Sequence, residues 1–404
     1  MKTRSIALLI LFTGFTACKN QQTATPEQPG SPNYTAPLSQ GKPALKQVAL
    51  QDWPDVGHAW EERDLFLRDS IDNSIAWFDA PSSKQWFPIE GVSHEQAKHS
   101  VIELREIIVS SATKQEFISQ IEERFDVYQS VGCDGEGTVL FTGYYAPDFH
   151  ASKTPNSYFN APLYERPEDL ITDSASGTPL GRQNTKGTIE PWPTRQALIE
   201  SGELDGTELV WVKDDLDAYT IHVNGSARLR LDDGELMYIG YAGKTDKPYT
   251  GLGHSVLEAG LLPPDKLSLR AIRKLYDKNP DEVNALINKN ESFVFFREYE
   301  GGNWPAGSLG VPVTAERSIA TDKKIFPRGG VVLVDTTVRS LTGEKQPFTQ
   351  FMADQDTGGA IRAPGRADLF MGVGPTAGLK AGGQYAEGQL YYLFLKPNAV
   401  ASVE

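Results

Sequence analysis

The most informative part of this sequence, called the decisive stretch below, is FTQFMADQDTGGAIRAPGRADLFMGVG, residues 348 to 374. Its two ends, 348–352 and 367–372, are rich in aromatic and apolar residues, which is typical of β-strands. The segment between them contains three glycines and a proline, which favour turns. The stretch therefore predicts a strand, a turn and a return strand.

Three aspartates lie in this stretch: Asp354, Asp356 and Asp368. The last two are 12 positions apart, so a strand and its return strand could bring two acids to one cleft. Apolar residues flank Asp368 on both sides, and burial raises the pKa of a carboxyl, which keeps a proton available for general acid catalysis near neutral pH. An aspartate beside glycine is also a common turn residue, so composition alone leaves both interpretations open.

Further segments with strand and helix patterns lie on both sides of this stretch. The predicted strands are 138–145, 293–296, 331–335 and 389–396, and their close spacing with intervening glycines predicts a small closed barrel or a sandwich. Apolar residues at helical spacing predict one or two helices over 101–125 and a helical stretch over 265–288 that Pro280 divides. Between them, segments 220–231 and 236–241 with Asp-Gly in the turn predict a hairpin.

Size, charge and histidine spacing exclude several classes of protein. The 404 residues suffice for two or three domains, and 39% hydrophobic with 23% charged residues is typical of a globular protein. A net charge of −14 disfavours a nucleic-acid partner, because phosphate binding needs a basic surface. The six histidines have no metal-site spacing, and neither a dinucleotide nor a phosphate-loop motif occurs, so we expect no metal and no cofactor.

The N-terminus has the outline of an export signal. Lys2 and Arg4 precede an apolar run over residues 6–15, which predicts a signal peptide at 1–17. The sequence Phe15-Thr16-Ala17-Cys18 resembles the bacterial lipobox, with Phe15 in place of the usual Leu. We therefore expect Cys18 to carry a lipid, and the polar composition that follows predicts a flexible tether, so that 18–46 form the anchor and its linker.

Several short motifs follow one another in a fixed order along residues 138–396. They are FTGYYAP at 141–147, APLY at 161–164, NGS at 224–226, FVFFR at 293–297, GSLGVP at 307–312, RSIA at 317–320 and the acid-rich stretch quoted above. Together they resemble the MltA-type membrane-bound lytic murein transglycosylases of Gram-negative bacteria, a family with a C-terminal three-aspartate domain. Residues 19–130 match this family only loosely.

The resemblance implies a fold that is mainly β with some helices. It predicts a double-psi β-barrel domain formed by 47–147 plus 290–404, of which 290–404 is the three-aspartate part. A second, smaller β domain at 148–289 is expected to be inserted into it, with a groove between the two. The change in composition near residue 148 agrees with this division.

The resemblance also implies a reaction that needs a single catalytic acid. Such enzymes cleave the β-1,4 bond between N-acetylmuramic acid and N-acetylglucosamine in peptidoglycan, and the C6 hydroxyl of the sugar replaces water, leaving a 1,6-anhydro end. Asp368 matches the catalytic acid, and Asp356 is expected to orient it and to stabilise positive charge. Exo action is expected.

Further expectations concern the groove, the anchor and the partners. The groove candidates share positions at predicted strand ends and turns; they are Thr142, Tyr145, Gly225, Ser226 and Ser308. The cations Arg362 and Arg366 could contact carboxylates of the substrate or be solvated, and the sequence favours solvation. The resemblance implies an outer-membrane lipoprotein that faces the periplasm and binds glycan strands. A cell-wall synthesis complex is a further expected partner. An inverting polysaccharide hydrolase and a noncatalytic glycan-binding lipoprotein remain the alternatives.

Overall fold

The computed structural model describes residues 32–173 and 177–400. Cys18 and the predicted signal peptide lie outside the described residues. Within the described part, no helix has the length and apolar character needed to cross a membrane.

The helices and strands fall into three successive parts of the chain. The first part contains β1 Leu45–Gln47, α1 Val56–Glu61, α2 Leu65–Asp79, α3 His94–Ser110, α4 Lys114–Arg124, β2 Phe125–Ser130 and β3 Val139–Ala146. The second contains β4 Asp148–Ser152, β5 Ala161–Tyr164, β6 Leu170–Thr172, β7 Pro179–Gln183, β8 Ile189–Glu190, α5 Arg195–Ser201, β9 Glu208–Val212, α6 Asp215–Asn224, β10 Ser226–Leu231, β11 Leu236–Lys244, α7 Leu252–Glu258, α8 Leu269–Lys278, α9 Pro280–Ile287 and β12 Val294–Tyr299. The third contains β13 Ser318–Ala320, β14 Val331–Arg339, β15 Lys345–Asp356, β16 Arg366–Val373, α10 Gly374–Gly383, β17 Tyr385–Leu395 and α11 Pro397–Val400.

The largest sheet closes on itself through β3. This strand pairs in parallel with β16 and antiparallel with β17, and the ring continues through β14, β15 and β13 back to β16. Strands β2 and β1 extend the sheet beyond β17. The expected fold class, a double-psi barrel with an inserted domain, is confirmed.

A three-residue strand separates the two halves of the decisive stretch. The predicted strand and return strand are present as β15 and β16, but β13 lies between them, parallel to β15 and antiparallel to β16. Residues of these strands and of β3, such as Phe351, Leu369 and Phe141, are fully buried in a core that the N-terminal helices also cover.

The inserted domain has its own sheet, in the order β12-β11-β10-β4-β9-β5. A bridge between Glu165 and Phe296 links its two edges. Because β12 pairs with β11, the predicted boundary at 289 is about ten residues too early, since this strand belongs to the insert rather than to the barrel. The predicted start at 148 coincides with β4.

Part of the predicted hairpin is helical. Strands β10 and β11 pair antiparallel around Gly234, as expected, but residues 215–224 form α6. The Asp214 side chain accepts the N–H of Asp217 and so caps the helix start, and Gly225, with φ 72°, ends it in the left-handed region. These two caps override the strand propensity of the Thr, Ile and Val residues between them.

The packed chain begins before the boundary predicted at residue 47. Tyr34 is buried and its hydroxyl donates to Glu387 Oε1 at 2.5 Å. Ala44 and Leu45 are also buried, and Leu45 opens a strand. The last part of the predicted tether is therefore packed on the barrel.

A buried ion pair fixes the connection between β13 and β15. Asp354 is fully buried and accepts hydrogen bonds from Lys323 Nζ, from Thr321 Oγ1 at 2.8 Å and from Tyr392 Oη at 2.7 Å. Burial lowers the pKa of Lys323, and the charge of Asp354 opposes this effect. Asp354 is thus a structural residue, in contrast to the other two aspartates of the stretch.

Removing one member of this pair should destabilise the protein strongly. We expect Asp354→Ala to lower the free energy of unfolding by about 3–5 kcal/mol, because it leaves a buried ammonium without its counter-ion. The double variant Asp354→Leu with Lys323→Met should lose much less, since no charge remains buried. Urea unfolding measures both, with the exposed Asp52→Ala as control; equal midpoints for Asp354→Ala and this control would contradict the assignment.

Candidate active site

Asp356 and Asp368 lie on either side of Ala320. This residue pairs with Asp356 across the parallel ladder to β15 and with Asp368 across the antiparallel ladder to β16. Two strand spacings place the α-carbons of the two aspartates roughly 9–10 Å apart. The structure thus brings the two predicted acids together, through a strand that separates them.

Asp368 is a buried acid that remains accessible. It lies between Ala367 and Leu369, which are fully buried, while its own side chain is 19% exposed. Burial raises the pKa of Asp368 to about 6; the Arg366 guanidinium opposes this rise, and the charge of Asp356 adds to it. Asp368 can therefore hold a proton in mildly acidic solution and lose it near neutral pH.

Backbone donors hold Asp356 in place. Its Oδ1 accepts the N–H groups of Ser308 and Thr357, each at 2.8 Å. Burial raises the pKa of Asp356, while the Tyr144 hydroxyl and these two N–H groups favour the carboxylate and oppose the rise. The sequence predicted Ser308 as a groove residue; in the structure its backbone contacts the second acid.

The loop that supplies the Ser308 N–H approaches β15 very closely. A Cβ atom on Gly307 would lie 2.6 Å from the carbonyl oxygen of Gln355 and 3.3 Å from Asp356 Cβ. Only glycine permits this approach. The neighbouring Ser308 is exposed, so its side chain is accessible to solvent.

Thr142 and Arg366 form a hydrogen-bonded chain that ends on Asp368. The Thr142 hydroxyl donates to Asp368 Oδ1, and Arg366 Nη2 donates to Thr142 Oγ1 at 3.1 Å. Arg366 Nη2 also lies 4.0 Å from Asp368 Oδ1. The prediction that both cations of the turn are solvated is wrong for Arg366, whose side chain is only 11% exposed; Arg362 is 33% exposed and lies 3.8 Å from Asp322.

Tyr144 of β3, and not the predicted Tyr145, lies beside the two acids. Tyr145 packs against α10, where a Cβ on Gly378 would lie 3.0 Å from its ring. Tyr144 instead faces the acids. Burial raises the pKa of its hydroxyl most, and the charges of Asp356 and Asp368 raise it further. Residues i and i+2 of a strand lie on one face. Since Thr142 was predicted to lie in the groove, this alternation would have predicted Tyr144 as the groove tyrosine.

The remaining two predicted groove residues belong to the insert. Gly225 ends α6, and a Cβ atom placed on it would lie 3.9 Å from the Cβ atom of Tyr241. Ser226 opens β10 and pairs with Gly240. The structure gives neither residue a hydrogen bond to the two aspartates within the described chain.

The insert nevertheless reaches the acids through a residue that the sequence did not single out. Tyr249 lies between β11 and α7, and its pKa is raised by burial, by Tyr219 and by the charge of Asp368. Tyr219 lies in α6, which also contacts β3 of the barrel. The acids are therefore located where the barrel and the insert meet.

The donor set is suited to acid catalysis. Within residues 32–173 and 177–400, no three His, Cys, Asp or Glu side chains are grouped as metal ligands. The site instead combines a protonatable, accessible carboxyl with a second carboxylate held by backbone N–H groups. This arrangement can protonate a leaving oxygen and stabilise positive charge beside it.

Two family models match the chain. The MltA specific insert domain matches residues 140–297, and the 3D domain matches residues 317–394. The first covers β3 to β12 and the second covers β13 to β17, including Asp356 and Asp368.

Individual relatives agree with these matches. Membrane-bound lytic murein transglycosylase A of Vibrio cholerae is 34% identical over 271 residues, covering 66% of this chain and 68% of the relative. A membrane-bound lytic murein transglycosylase from Agrobacterium tumefaciens has a crystal structure with a TM-score of 0.71 and 27% identity, covering 88% of this chain and 99% of that one. A lytic transglycosylase of Burkholderia pseudomallei gives a TM-score of 0.53 at 30% identity, covering 89% and 98%. The chain belongs to the MltA family of membrane-bound lytic murein transglycosylases.

Proposed function

We propose that this protein is a lytic transglycosylase that cleaves the β-1,4 bond between N-acetylmuramic acid and N-acetylglucosamine in peptidoglycan and leaves 1,6-anhydromuramoyl ends. Family membership and the names of the relatives support the activity. The observation that carries the proposal is Asp368, an accessible carboxyl whose pKa burial raises to about 6, beside a second carboxyl.

In the proposed reaction Asp368 acts twice. As an acid it donates its proton to the glycosidic oxygen, the bond from this oxygen to C1 of the muramoyl residue breaks, and the N-acetylglucosamine portion leaves with a free hydroxyl. As a carboxylate, Asp368 then takes the proton of the C6 hydroxyl while O6 bonds to C1. No water is consumed, and Asp368 returns to its protonated state.

One carboxyl suffices for both steps because the nucleophile belongs to the substrate. Hydrolases of glycosides usually use two carboxyls, one as acid and one as base or nucleophile. Here the sugar ring already holds O6 near C1, so proximity replaces a bound water. Asp356 would stabilise the positive charge that develops at C1, which agrees with the two N–H groups that favour its carboxylate form.

The finer features of the proposal concern the groove and the cellular setting. Tyr145, Gly225 and Ser226 are proposed to contact the glycan farther from the bond that is cut. The membrane-bound state is proposed to arise from a lipid on Cys18 in the outer membrane, with the enzyme in the periplasm. Exo action and membership of a cell-wall synthesis complex remain predictions.

Replacing the acid should abolish the anhydro products. With purified peptidoglycan, the mature protein should give muropeptides lighter by one water than hydrolytic products, and Asp368→Asn should reduce their rate of formation by about 10²- to 10⁴-fold. Mass spectrometry reads the products. Asp335→Asn, an aspartate on β14 that accepts from Thr349, is the matched control and should remain active.

Two other results would contradict the transglycosylase proposal. Products with free reducing ends would support an inverting polysaccharide hydrolase. Sacculi that bind the protein and yield no products would support a noncatalytic glycan-binding lipoprotein.

The pH dependence should follow Asp368. Burial raises its pKa to about 6, so the acid is protonated below this pH and loses its proton above it. We expect kcat/KM to fall as the pH rises through about 6. Because the charge of Asp356 raises the pKa of Asp368, Asp356→Asn should move this alkaline limb to lower pH in its residual activity. An alkaline limb that stays in place in Asp356→Asn would argue against the coupling of the two acids.

A further inference from the structure

We propose that Arg366 is a positioning residue that fixes the direction of the Thr142 hydroxyl and thereby selects the oxygen of Asp368 that carries the catalytic proton. The proposal rests on the proposed function, because it concerns the acid of that reaction. Arg366 lies two residues before Asp368 on β16, and both side chains are on the face of the sheet opposite the core residues Ala367 and Leu369.

The direction of the hydrogen bonds follows from the chemistry of the donors. A guanidinium has only N–H donors and stays protonated, so Arg366 Nη2 can only donate to Thr142 Oγ1. A hydroxyl has a single proton, and with an N–H approaching its oxygen that proton turns away from the arginine. It is then directed to Asp368 Oδ1, the acceptor in the structure.

This direction decides where the proton of Asp368 resides. An Oδ1 that accepts from Thr142 behaves as the carbonyl oxygen of the neutral acid, so the acidic proton is on Oδ2. Without Arg366, the hydroxyl is free to turn and accept a proton from Oδ1. A proton on Oδ1 would be hydrogen-bonded to Thr142 and withheld from the glycosidic oxygen.

The charge of Arg366 also serves the second half of the reaction, in which Asp368 is a carboxylate. The charge of Asp368 interacts with groups on several elements. Arg366 on its own strand and Asp356 on β15 shift its pKa, and its charge in turn raises the pKa of Tyr144 on β3 and of Tyr249 in the insert. Among these, Arg366 is the cation, and it lowers the pKa of Asp368 against the effect of burial. It therefore favours the carboxylate that accepts the C6 proton.

The hydrogen bonds of the Arg366 guanidinium do not explain its placement, because not all of its N–H groups have an acceptor among the described residues. Within the described chain its buried Nε has no hydrogen-bond acceptor, while Nη2 is directed at Thr142. An unpaired buried donor is costly, so a role in the site accounts for this placement better than the hydrogen bonds of Arg366 itself do.

Kinetics of three arginine variants test the role. Arg366→Met should lower kcat on the order of tenfold, less than the full contribution of general acid catalysis, with a small change in KM. Its alkaline limb should move to higher pH, because the arginine lowers the pKa of Asp368. Arg366→Lys, which retains a charge and a donor, should recover much of kcat. The control Arg297→Met removes an exposed arginine that donates to Tyr299 and should match the wild type.

A double-variant cycle tests the path through the hydroxyl. If Arg366 acts by directing Thr142, the losses of kcat in Arg366→Met and Thr142→Val should be clearly less than multiplicative in the double variant. Thermal unfolding of each variant separates a loss of folded protein from a loss of kcat. Thr142→Ser keeps the hydroxyl and should retain clearly more of kcat than Thr142→Val. This comparison separates loss of the hydroxyl from loss of side-chain packing.

The possible outcomes separate this inference from the proposed function. A wild-type protein that forms no anhydro products would overturn the proposed function. A wild type that forms them, together with a folded Arg366→Met whose kcat and alkaline limb are unchanged, would overturn the role of Arg366 alone. Multiplicative losses in the cycle would overturn the relay through Thr142.

Discussion

The pairing of β13 with both β15 and β16 is the constraint on which the site depends. Three residues, Ser318–Ala320, separate the two longest parts of the decisive stretch and hydrogen-bond to each. Ala320 thereby sets the distance between Asp356 and Asp368. The buried pair of Asp354 and Lys323 connects β15 to the segment that follows β13. Two aspartates of one strand thus have different partners, because Asp354 pairs with a lysine while Asp356 accepts the N–H groups of Ser308 and Thr357.

Asp356 and Asp368 both lie on strands that pair with β13, but different kinds of hydrogen-bond donor contact their carboxyl groups. Asp356 receives backbone N–H groups, which favour its charged form, whereas Asp368 receives a threonine hydroxyl and lies near a guanidinium. A backbone N–H can only donate, while a hydroxyl can donate or accept. The first arrangement suits a group that remains an anion beside positive charge, and the second suits a group that alternates between acid and base.

Local composition was enough to predict the long strands, the helices divided at Pro280 and the position of the two acids. It was insufficient where a long-range contact decides the outcome. β13 is too short to give a strand pattern, and β12 joins the insert because of its pairing with β11, which no local pattern encodes. The α6 helix depends on its caps at Asp214 and Gly225. Arg366 donates to Thr142 of β3, which is more than two hundred residues away in sequence.

The loop that contains Gly307 and Ser308 connects the inserted domain to the second acid. It belongs to the connection from β12 of the insert to β13 of the barrel, and its N–H holds Asp356 Oδ1. Because this N–H lowers the pKa of Asp356, the position of the connection and the proton affinity of the second acid are linked through one hydrogen bond.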